Sequence, residues 1–388
     1  MIDYTSILKQ FPTPFYLFDS EILKKRIEFL RARLPENIRL CYAMKANSFI
    51  IKELEPLIDR FEVCSPGETA ICHSCNIPDQ KLVISGVYKP REYLDALIAK
   101  YPETGTFTVE SMQQYYMLKE LSEKYSRRLE ILLRLTSGNQ FGINKEDIRA
   151  ILLDKPSFLY IKGIQFFSGT QKRSLKKIGR ELEYLDSYLT ELKDSNGFSP
   201  EELEIGPGFP VAYFQDENFD EENYLSVFSA LLNGMKNKPN ITLELGRSIA
   251  ASCGTYFTSV VDIKCNKNEN YAIIDGGIHQ LVYYSQVMAM KTPCHQLLPK
   301  TRNGSVEKWN ICGSLCTIND ILIKQLPAKD LKIGDVLAFE NAGAYCPTEG
   351  MSLFLSHALP SIVLRDKNGK CKLIRTPIET SEMNKPMM

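Results

Sequence analysis

One unit recurs eight times between residues 39 and 244: a short apolar run, a few turn residues and a longer segment with the periodicity of a helix. Successive runs start roughly 20 to 40 residues apart, which is room for one strand and one crossover helix. Eight such units predict a closed (β/α)8 barrel, or TIM barrel, of the α/β class. An open doubly wound sheet is the alternative that this pattern leaves open. The runs are 39–44, 61–64, 81–85, 105–109, 130–135, 159–167, 202–205 and 240–245.

The pattern changes after Gly254, where short β-rich runs are separated by polar breaks and little helical periodicity remains. This change predicts a second, antiparallel β domain, and the early run Phe15-Tyr16-Leu17-Phe18 is expected to add a strand to it. The predicted bounds are 20–253 for the barrel, and 1–19 with 254–388 for the β domain. The later runs are 255–265, 271–275, 306–312, 320–325, 335–339, 361–365 and 371–375.

The charge balance excludes several classes of partner. The chain has 47 basic and 47 acidic residues, so no net field attracts nucleic acid or an anionic membrane surface. A small-molecule substrate is therefore expected. The first residues lack the basic-then-apolar order of a signal peptide, and no run reaches the roughly 18 apolar residues of a membrane span, so we expect a cytoplasmic protein. The four histidines are not spaced as metal ligands, and we expect no catalytic metal.

Polar residues gather where the predicted barrel strands end. In a barrel of parallel strands the loops at the carboxyl ends converge on one mouth, where active sites form. A functional site is therefore expected at this mouth. The residues that follow or end the runs are Lys45, Glu62, Ser65, Arg134, Thr170, Gly206, Gly208, Glu244 and Arg247.

Three of these features suggest a chemistry, and each has an ordinary alternative. Lys45 beside a partly desolvated pocket can act as an amine nucleophile, or it can be a strand-end lysine that reaches water. The turn Gly206-Pro207-Gly208 lets backbone N–H groups approach an anion, or it is only a turn. Glu244 can keep a pyridine nitrogen protonated, or it can form a simple ion pair with Arg247.

Taken in order, the motifs of this chain resemble those of the fold-type III pyridoxal phosphate (PLP) decarboxylases, the family of diaminopimelate, ornithine and arginine decarboxylases. The resemblance covers nearly the full length and implies an alanine racemase-like barrel followed by a β domain. The matching segments are Thr13-Pro14-Phe15-Tyr16, Tyr42-Ala43-Met44-Lys45-Ala46-Asn47, Glu62-Val63-Cys64-Ser65-Pro66-Gly67-Glu68, Arg134 with Phe141-Gly142, Ser168-Gly169-Thr170-Gln171, Gly206-Pro207-Gly208-Phe209-Pro210, Glu244-Leu245-Gly246-Arg247, Cys316 with Asp320, and Gly343-Ala344-Tyr345.

The resemblance implies a role for each matching residue. Lys45 would carry pyridoxal 5'-phosphate on its amine, and Glu244 would hold the ring nitrogen. The residues expected near the substrate are Arg134, Tyr283, Thr317 and Asp320. Cys316 resembles the family's cysteine that protonates the substrate carbon after carbon dioxide leaves. That cysteine comes from the partner subunit, so a homodimer with shared active sites is implied. The residues expected around the phosphate are Thr170, Gly206, Pro207, Gly208, Arg247 and Tyr345.

Three departures from the family bear on the substrate. Phe167 stands where the family stacks a histidine on the cofactor ring, and a phenyl ring can still stack there. Thr317 replaces an acidic residue, and Tyr283 replaces an arginine, so both charged contacts to the remote end of a diamino acid are missing. The chain therefore resembles the branch that acts on conjugated or carrier-protein-tethered amino acids, such as a γ-glutamyl thioester, in natural-product or siderophore pathways.

Two other functions remain open at this point. An amino-acid racemase shares the fold and the strand-end lysine, although racemases avoid a carboxylate at the ring nitrogen and this chain has Glu244. A non-catalytic decarboxylase-like binding protein is the second alternative, and the presence of Lys45, Glu244 and Cys316 argues against it.

Overall fold

The computed structural model describes residues 2–154, 156–299 and 302–387. These residues form two compact units. The barrel unit contains residues 27–210 and 220–249, and the sheet unit contains residues 2–26, 211–219 and 250–387. The domain bounds expected from the sequence, 20–253 for the barrel and 1–19 with 254–388 for the β domain, stay a prediction. The units defined by contacts differ from them by the segments 20–26, 211–219 and 250–253, which belong to the sheet unit.

The chain starts with helix α1 (Tyr4–Leu8), strand β1 (Phe15–Asp19) and helix α2 (Ser20–Arg31). The strands of the barrel unit are β2 (Arg39–Ala43), β3 (Arg60–Val63), β4 (Leu82–Ile84), β5 (Thr106–Val109), β6 (Leu129–Leu135), β7 (Leu159–Phe167), β8 (Glu202–Gly206) and β9 (Asn240–Leu245). Neighbouring strands pair in parallel, and β9 also pairs with β2, which closes the barrel. The predicted (β/α)8 barrel is confirmed, and the open sheet is wrong.

Helices follow the strands of the barrel, and several begin at a side chain that caps them. Ser65, Ser111, Ser174 and Asp220 each accept a hydrogen bond from a backbone N–H of the first turn, which stabilises the start of a helix. The helices are α3 (Ile51–Leu54), α4 (Pro66–Ser74), α5 (Arg91–Lys100), α6 (Met112–Lys124), α7 (Lys145–Asp154), α8 (Leu175–Asn196), α9 (Glu221–Gly234) and α10 (Arg247–Ala250).

The barrel strands can be predicted from the sequence because burial on both faces gives them continuous apolar runs. Every residue of β3, β4, β5 and β8 is buried, as expected for parallel strands that helices cover on one side and the barrel interior on the other. Strand β8 is unusual because two of its five buried positions, Glu202 and Glu204, are carboxylates. Both side chains therefore need partners inside the barrel.

The sheet unit contains a nine-stranded sheet. Its later elements are β10 (Gly254–Asn266), β11 (Glu269–Ile274), β12 (His295–Leu298), β13 (Val306–Cys312), β14 (Ile321–Lys329), β15 (Val336–Phe339), β16 (Ser361–Arg365), β17 (Cys371–Arg375) and helix α11 (Ser381–Asn384). Strands β14, β13, β11, β10, β1, β16 and β17 are neighbours in that order, and β15 pairs with β10 and β12. The core of this unit includes the stacked rings of Phe15 and Phe257, whose centroids are 4.8 Å apart.

The expected antiparallel arrangement needs one correction, because the sheet is mixed. Strand β1 runs parallel to β16, and β11 runs parallel to β13, whereas the other pairs in this sheet are antiparallel. The parallel partners are not joined by a hairpin turn, so no short connection fixes their relative direction.

No helix among the described residues combines the length and the apolar composition that a membrane span requires.

Candidate active site

Lys45 lies in a short 3-10 turn directly after β2. Its Nζ donates a hydrogen bond to Glu62 Oε2 at 2.6 Å and lies 3.6 Å from Glu244 Oε1. The strand pairing explains this arrangement, because Ala43 on β2 pairs with Glu62 on β3, and Cys41 pairs with Glu244 on β9. Three neighbouring strands thus bring one amine and two carboxylates together at their carboxyl ends. The Lys45 side chain is 42% exposed, so its amine is accessible from solvent.

The two carboxylates have opposite pKa shifts. Burial alone would raise the pKa of Glu62, but the Lys45 charge and the hydrogen bonds from Lys45 and Cys64 outweigh it and lower this pKa to about 2. Burial and the charge on Glu62 raise the pKa of Glu244 to about 7, although Lys45 and Arg134 oppose the shift. Glu62 therefore balances the lysine charge, while Glu244 can hold or release a proton near neutral pH.

Glycines bring the loops after β7 and β8 close together. A Cβ atom on Gly206 would lie 2.4 Å from the ring of Phe167, and a Cβ atom on Gly208 would lie 2.2 Å from the carbonyl oxygen of Gly169. Gly208 also has φ +64°, which a side chain would strain. The Lys172 N–H donates to the Gly208 carbonyl at 2.9 Å and joins the two loops. Larger residues at 206 and 208 would separate them.

The predicted phosphate residues of the barrel unit lie on these loops and on the next one. Thr170 is half-buried just after β7, and Pro207 lies in the turn after β8. Arg247 is half-buried at the start of α10, directly after β9. The structure therefore places Phe167, Thr170, the glycine turn, Glu244 and Arg247 at the ends of three adjacent strands. Their contacts with a phosphate stay a prediction.

Arg134, near the end of β6, is paired with an acid that the sequence did not suggest. Its Nη1 donates to Glu110 Oε2 at 2.9 Å, and its guanidinium lies 4.8 Å from the centroid of the Phe141 ring. Both members of the ion pair are buried. The positive charge of Arg134 opposes the rise in the pKa of Glu244, so Arg134 acts electrostatically on the carboxylate at the end of β9.

Cys316 and its neighbours lie in the sheet unit, in the turn between β13 and β14. Cys316 is exposed and Thr317 is half-buried. Asp320 is buried and accepts hydrogen bonds from the backbone N–H groups of Ile278 and Leu315, each at 2.8 Å. Asp320 therefore holds the turn that presents Cys316, a role that the sequence did not indicate. Its predicted contact with substrate stays a prediction.

Tyr283 and Tyr345 are also in the sheet unit. Tyr283 is only 3% exposed, its ring lies 5.2 Å from that of Tyr213, and its hydroxyl donates to the Glu340 carbonyl. Tyr345 is half-buried with φ +68°, and its carbonyl accepts hydrogen bonds from two backbone N–H groups, those of Thr348 and Glu349. The roles predicted for both tyrosines stay predictions.

Glu62 ends an apolar run in the sequence but has no predicted role, and neither Glu110 nor Gln165 is among the predicted site residues. Gln165 is buried on β7 and donates through Nε2 to Glu204 Oε1 at 2.9 Å and to Glu244 Oε2 at 3.2 Å. A signal was present, because Gln165, Glu202 and Glu204 are polar residues inside otherwise apolar runs. Such residues face the barrel interior and must find partners there.

The groups of the barrel unit suit pyridoxal phosphate. Lys45 supplies an amine for the aldehyde, and Glu244 supplies a carboxylate, only 9% exposed, for the ring nitrogen. The half-buried ring of Phe167 can stack on a planar ring. The glycine turn has no side chain at 206 or 208 that would keep a phosphate away from its backbone. Among the described residues, no group of three His, Cys, Asp or Glu side chains could hold a metal ion.

A lysine amine and a buried carboxylate beside a glycine turn, at the carboxyl ends of a closed parallel barrel, define a barrel enzyme that holds an aldehyde cofactor through lysine. More particularly, the chain belongs to the family of pyridoxal-dependent decarboxylases. The model of the family described as "Pyridoxal-dependent decarboxylase, C-terminal sheet domain" matches residues 15–343.

Relatives of known name support the same conclusion. A decarboxylase of Niallia circulans, whose name gives its substrate as an L-glutamyl group on the BtrI acyl-carrier protein, is 27% identical, with 96% of this chain and 93% of the relative aligned. The diaminopimelate decarboxylase of Aquifex aeolicus is 28% identical over 96% and 91% of the two chains. The crystal structure of the M. jannaschii diaminopimelate decarboxylase shares the fold, with a TM-score of 0.86 at 22% identity over 99% and 94% of the chains.

The predictions of a PLP cofactor and of an amino-acid decarboxylase are confirmed by this family membership. The enzyme removes the α-carboxylate of an amino acid as carbon dioxide.

Proposed function

We propose that this decarboxylase acts on an amino acid whose remote end is conjugated or tethered to a carrier protein. The observation that carries the proposal is the absence of charge at two positions, because Thr317 and Tyr283 stand where the diamino-acid enzymes are expected to have an acid and an arginine. Without these charges the enzyme lacks charge-assisted contacts for a zwitterionic remote end. The Niallia relative, named for a glutamyl carrier-protein substrate, supports the proposal.

Different residues of the barrel unit serve the aldehyde and the ring nitrogen of the cofactor. Lys45 would hold the aldehyde carbon of the cofactor, and Glu62, which accepts a hydrogen bond from the Lys45 amine at 2.6 Å, positions that amine. Glu244 keeps the ring nitrogen protonated. Bound PLP supplies the electron sink for the pair of electrons that remains when the carboxylate leaves. Cys316 then delivers a proton to the α-carbon.

The remaining predicted residues position the cofactor and the substrate. Phe167 stacks on the cofactor ring, and Arg134 and Asp320 lie near the substrate. The phosphate is bound by Thr170, Gly206, Pro207, Gly208, Arg247 and Tyr345. The half-buried positions of Thr170 after β7 and Arg247 after β9, on either side of β8 and its glycine turn, support this part of the proposal.

The enzyme works in the cytoplasm as a homodimer in which Cys316 of one subunit serves the Lys45 of the other. An exposed Cys316 supports this arrangement, because the side chain is available to a partner. Mixing Lys45→Ala subunits with Cys316→Ala subunits tests it, with formation of the amine product as the measured activity, because Cys316 acts after carbon dioxide has left. Random exchange places one intact site in half of the dimers, so about a quarter of the parent activity should return. No recovery after demonstrated exchange would contradict the shared site.

The substrate is tested by measuring carbon dioxide release from matched compounds. The panel contains meso-diaminopimelate, ornithine, free glutamate, a glutamyl thioester of a short pantetheine analogue and a glutamyl carrier protein. We expect the tethered compounds to give the highest kcat/KM, and Lys45→Ala serves as the inactive control. A higher kcat/KM for diaminopimelate would contradict the proposed substrate class. Racemisation without carbon dioxide release would contradict the decarboxylation itself.

A further inference from the structure

Two carboxylates on β8 lie two residues apart inside the barrel and have different surroundings. Glu202 accepts hydrogen bonds from both terminal nitrogens of Arg60, at 2.5 and 3.1 Å, and from Thr242 at 2.7 Å. Lys162 and Arg39 approach it to 3.8 Å. Glu202 is therefore a buried anion with positive partners.

Glu204 has no comparable set of positive partners. It is completely buried, and its Oε1 accepts one hydrogen bond, from Gln165 Nε2 at 2.9 Å. Its Oε2 is 3.9 Å from Arg60 and has no hydrogen-bond partner among the described residues. An ionised carboxylate in this position would be poorly compensated, whereas a protonated carboxyl would gain an O–H donor.

The same glutamine joins Glu204 to the site. Gln165 lies opposite Glu204 in the pairing of β7 with β8, and its Nε2 also donates to Glu244 Oε2 at 3.2 Å. The Oε1 of Gln165 is buried and has no hydrogen-bond partner among the described residues. A proton on Glu204 can satisfy this oxygen, because an acid and an amide pair through two hydrogen bonds. The amide would then be fixed in the orientation that serves Glu244.

We propose that Glu204 is a positioning residue: it stays protonated and, through Gln165, holds the Glu244 carboxylate toward the cofactor ring nitrogen. This inference rests on the proposed role of Glu244. The groups that face Glu204 agree with it, because burial and the charges of Glu244 and Glu202 raise the pKa of Glu204 well above its ordinary range, while Arg60 opposes them only in part.

The test compares Glu204→Gln, which copies a neutral carboxyl, with Glu204→Leu and Gln165→Leu, which remove the connection. PLP affinity is measured by fluorescence titration of the cofactor-free chain. We expect Glu204→Gln to stay within about threefold of the parent, and both leucine variants to bind at least about tenfold more weakly, as the loss of one hydrogen bond to a charged group predicts. Rescue by glutamine but not by leucine separates a positioning role from simple packing.

Glu202→Gln is the matched control, because it removes a charge two residues away on the same strand. It leaves Arg60 without its anion, so we expect a lower midpoint of thermal unfolding, whereas Glu204→Gln should leave the midpoint nearly unchanged. Equal thermal losses in the two glutamine variants would overturn the inference, because they would mean that Glu204 is also an anion.

The protonation state is read directly from infrared difference spectra of the cofactor-free parent and the Glu204→Gln chain at neutral pH. Loss of the carbonyl band of a protonated acid is expected, and loss of carboxylate bands instead would overturn the proposal. If the variant does not fold, carboxyl-carbon NMR of the parent labelled at glutamate gives the same answer. A parent that fails to bind PLP would contradict the proposed function, whereas an ionised Glu204 in a parent that binds PLP would contradict only this inference.

Discussion

Two buried carboxylates, Glu62 in the barrel unit and Asp320 in the sheet unit, have different kinds of partner. Glu62 accepts hydrogen bonds from the side chains of Lys45 and Cys64. Asp320 accepts them from the backbone N–H groups of two residues, and so fixes a turn. Side-chain partners can exchange when a ligand binds, whereas backbone partners cannot be given up without changing the fold. A buried charge at a predicted site can therefore serve the chemistry or the architecture, and its partners indicate which.

The largest expected effect tests the barrel side of this comparison. Lys45→Ala should remove the covalent attachment of PLP and lower carbon dioxide release at least about a thousandfold, because the nucleophilic amine is lost. Lys45→Arg is the matched variant, since it keeps a positive charge beside Glu62 but has no nucleophilic amine. We expect Lys45→Arg to fold like the parent and to be equally inactive. Substantial activity in either variant would contradict the assignment.

Asp320→Ala tests the sheet side. The substitution leaves two buried N–H groups without their acceptor, so the free energy of unfolding should fall by about 3 kcal/mol in urea titrations. Asp320→Asn keeps one oxygen acceptor and should lose less. If the main role of Asp320 were to bind the substrate and not to fix the turn, both variants would keep their stability and raise KM. The contrast with Glu62 would then fail.

The pH dependence of the cofactor-free chain should separate the two carboxylates of the barrel. Burial and the charge on Glu62 raise the pKa of Glu244 from 4.5 to about 7, so the folded chain retains a proton that the unfolded chain releases. This contribution is fully present below pH 4.5 and is lost as the pH rises through 7. A shift of this size corresponds to roughly 3 kcal/mol, and Glu244→Gln should remove the loss of stability between pH 4.5 and 7.

Glu62 should have the opposite dependence. Burial opposes its charge, but Lys45 lowers its pKa from 4.5 to about 2, so its contribution is present above pH 4.5 and is lost as the pH falls to 2. Glu62→Gln should reduce the loss of stability in this acid range, and it should also reduce the loss between pH 4.5 and 7, because the charge on Glu62 helps to raise the pKa of Glu244. Urea midpoints measured across both ranges check the pair, and identical profiles for the two variants would contradict the assigned shifts.

Much of the fold could be predicted, because barrel strands are buried on both faces and produce continuous apolar runs. All eight runs correspond to strands of the closed barrel. Strand β12 was missed because its four residues are only half-buried and carry no strong apolar pattern. The parallel pairing of β1 with β16 joins opposite ends of the chain, and no turn or spacing in the sequence specifies it.

The candidate site was predictable where it depends on strand ends and less so where it depends on contacts across the barrel. Lys45 and Glu244 each follow or end an apolar run, and closure of the barrel brings them together. The connection from Glu244 through Gln165 to Glu204 depends on the strand pairing, which the sequence does not specify. The backbone contacts of Asp320 could not be predicted either, because they depend on the conformation of a loop.

The smallest expected effect concerns Tyr283, which is buried like Asp320 and donates its hydroxyl to a carbonyl in the same unit. Tyr283→Phe removes one hydrogen bond without changing the ring, so the free energy of unfolding should fall by about 1 kcal/mol, with KM for the best substrate unchanged. Because Tyr283 stands where the diamino-acid enzymes are expected to have an arginine, an altered KM at unchanged stability would mean that its hydroxyl meets the substrate. Tyr283 would then belong with Glu62, among the residues whose partners change when the substrate binds.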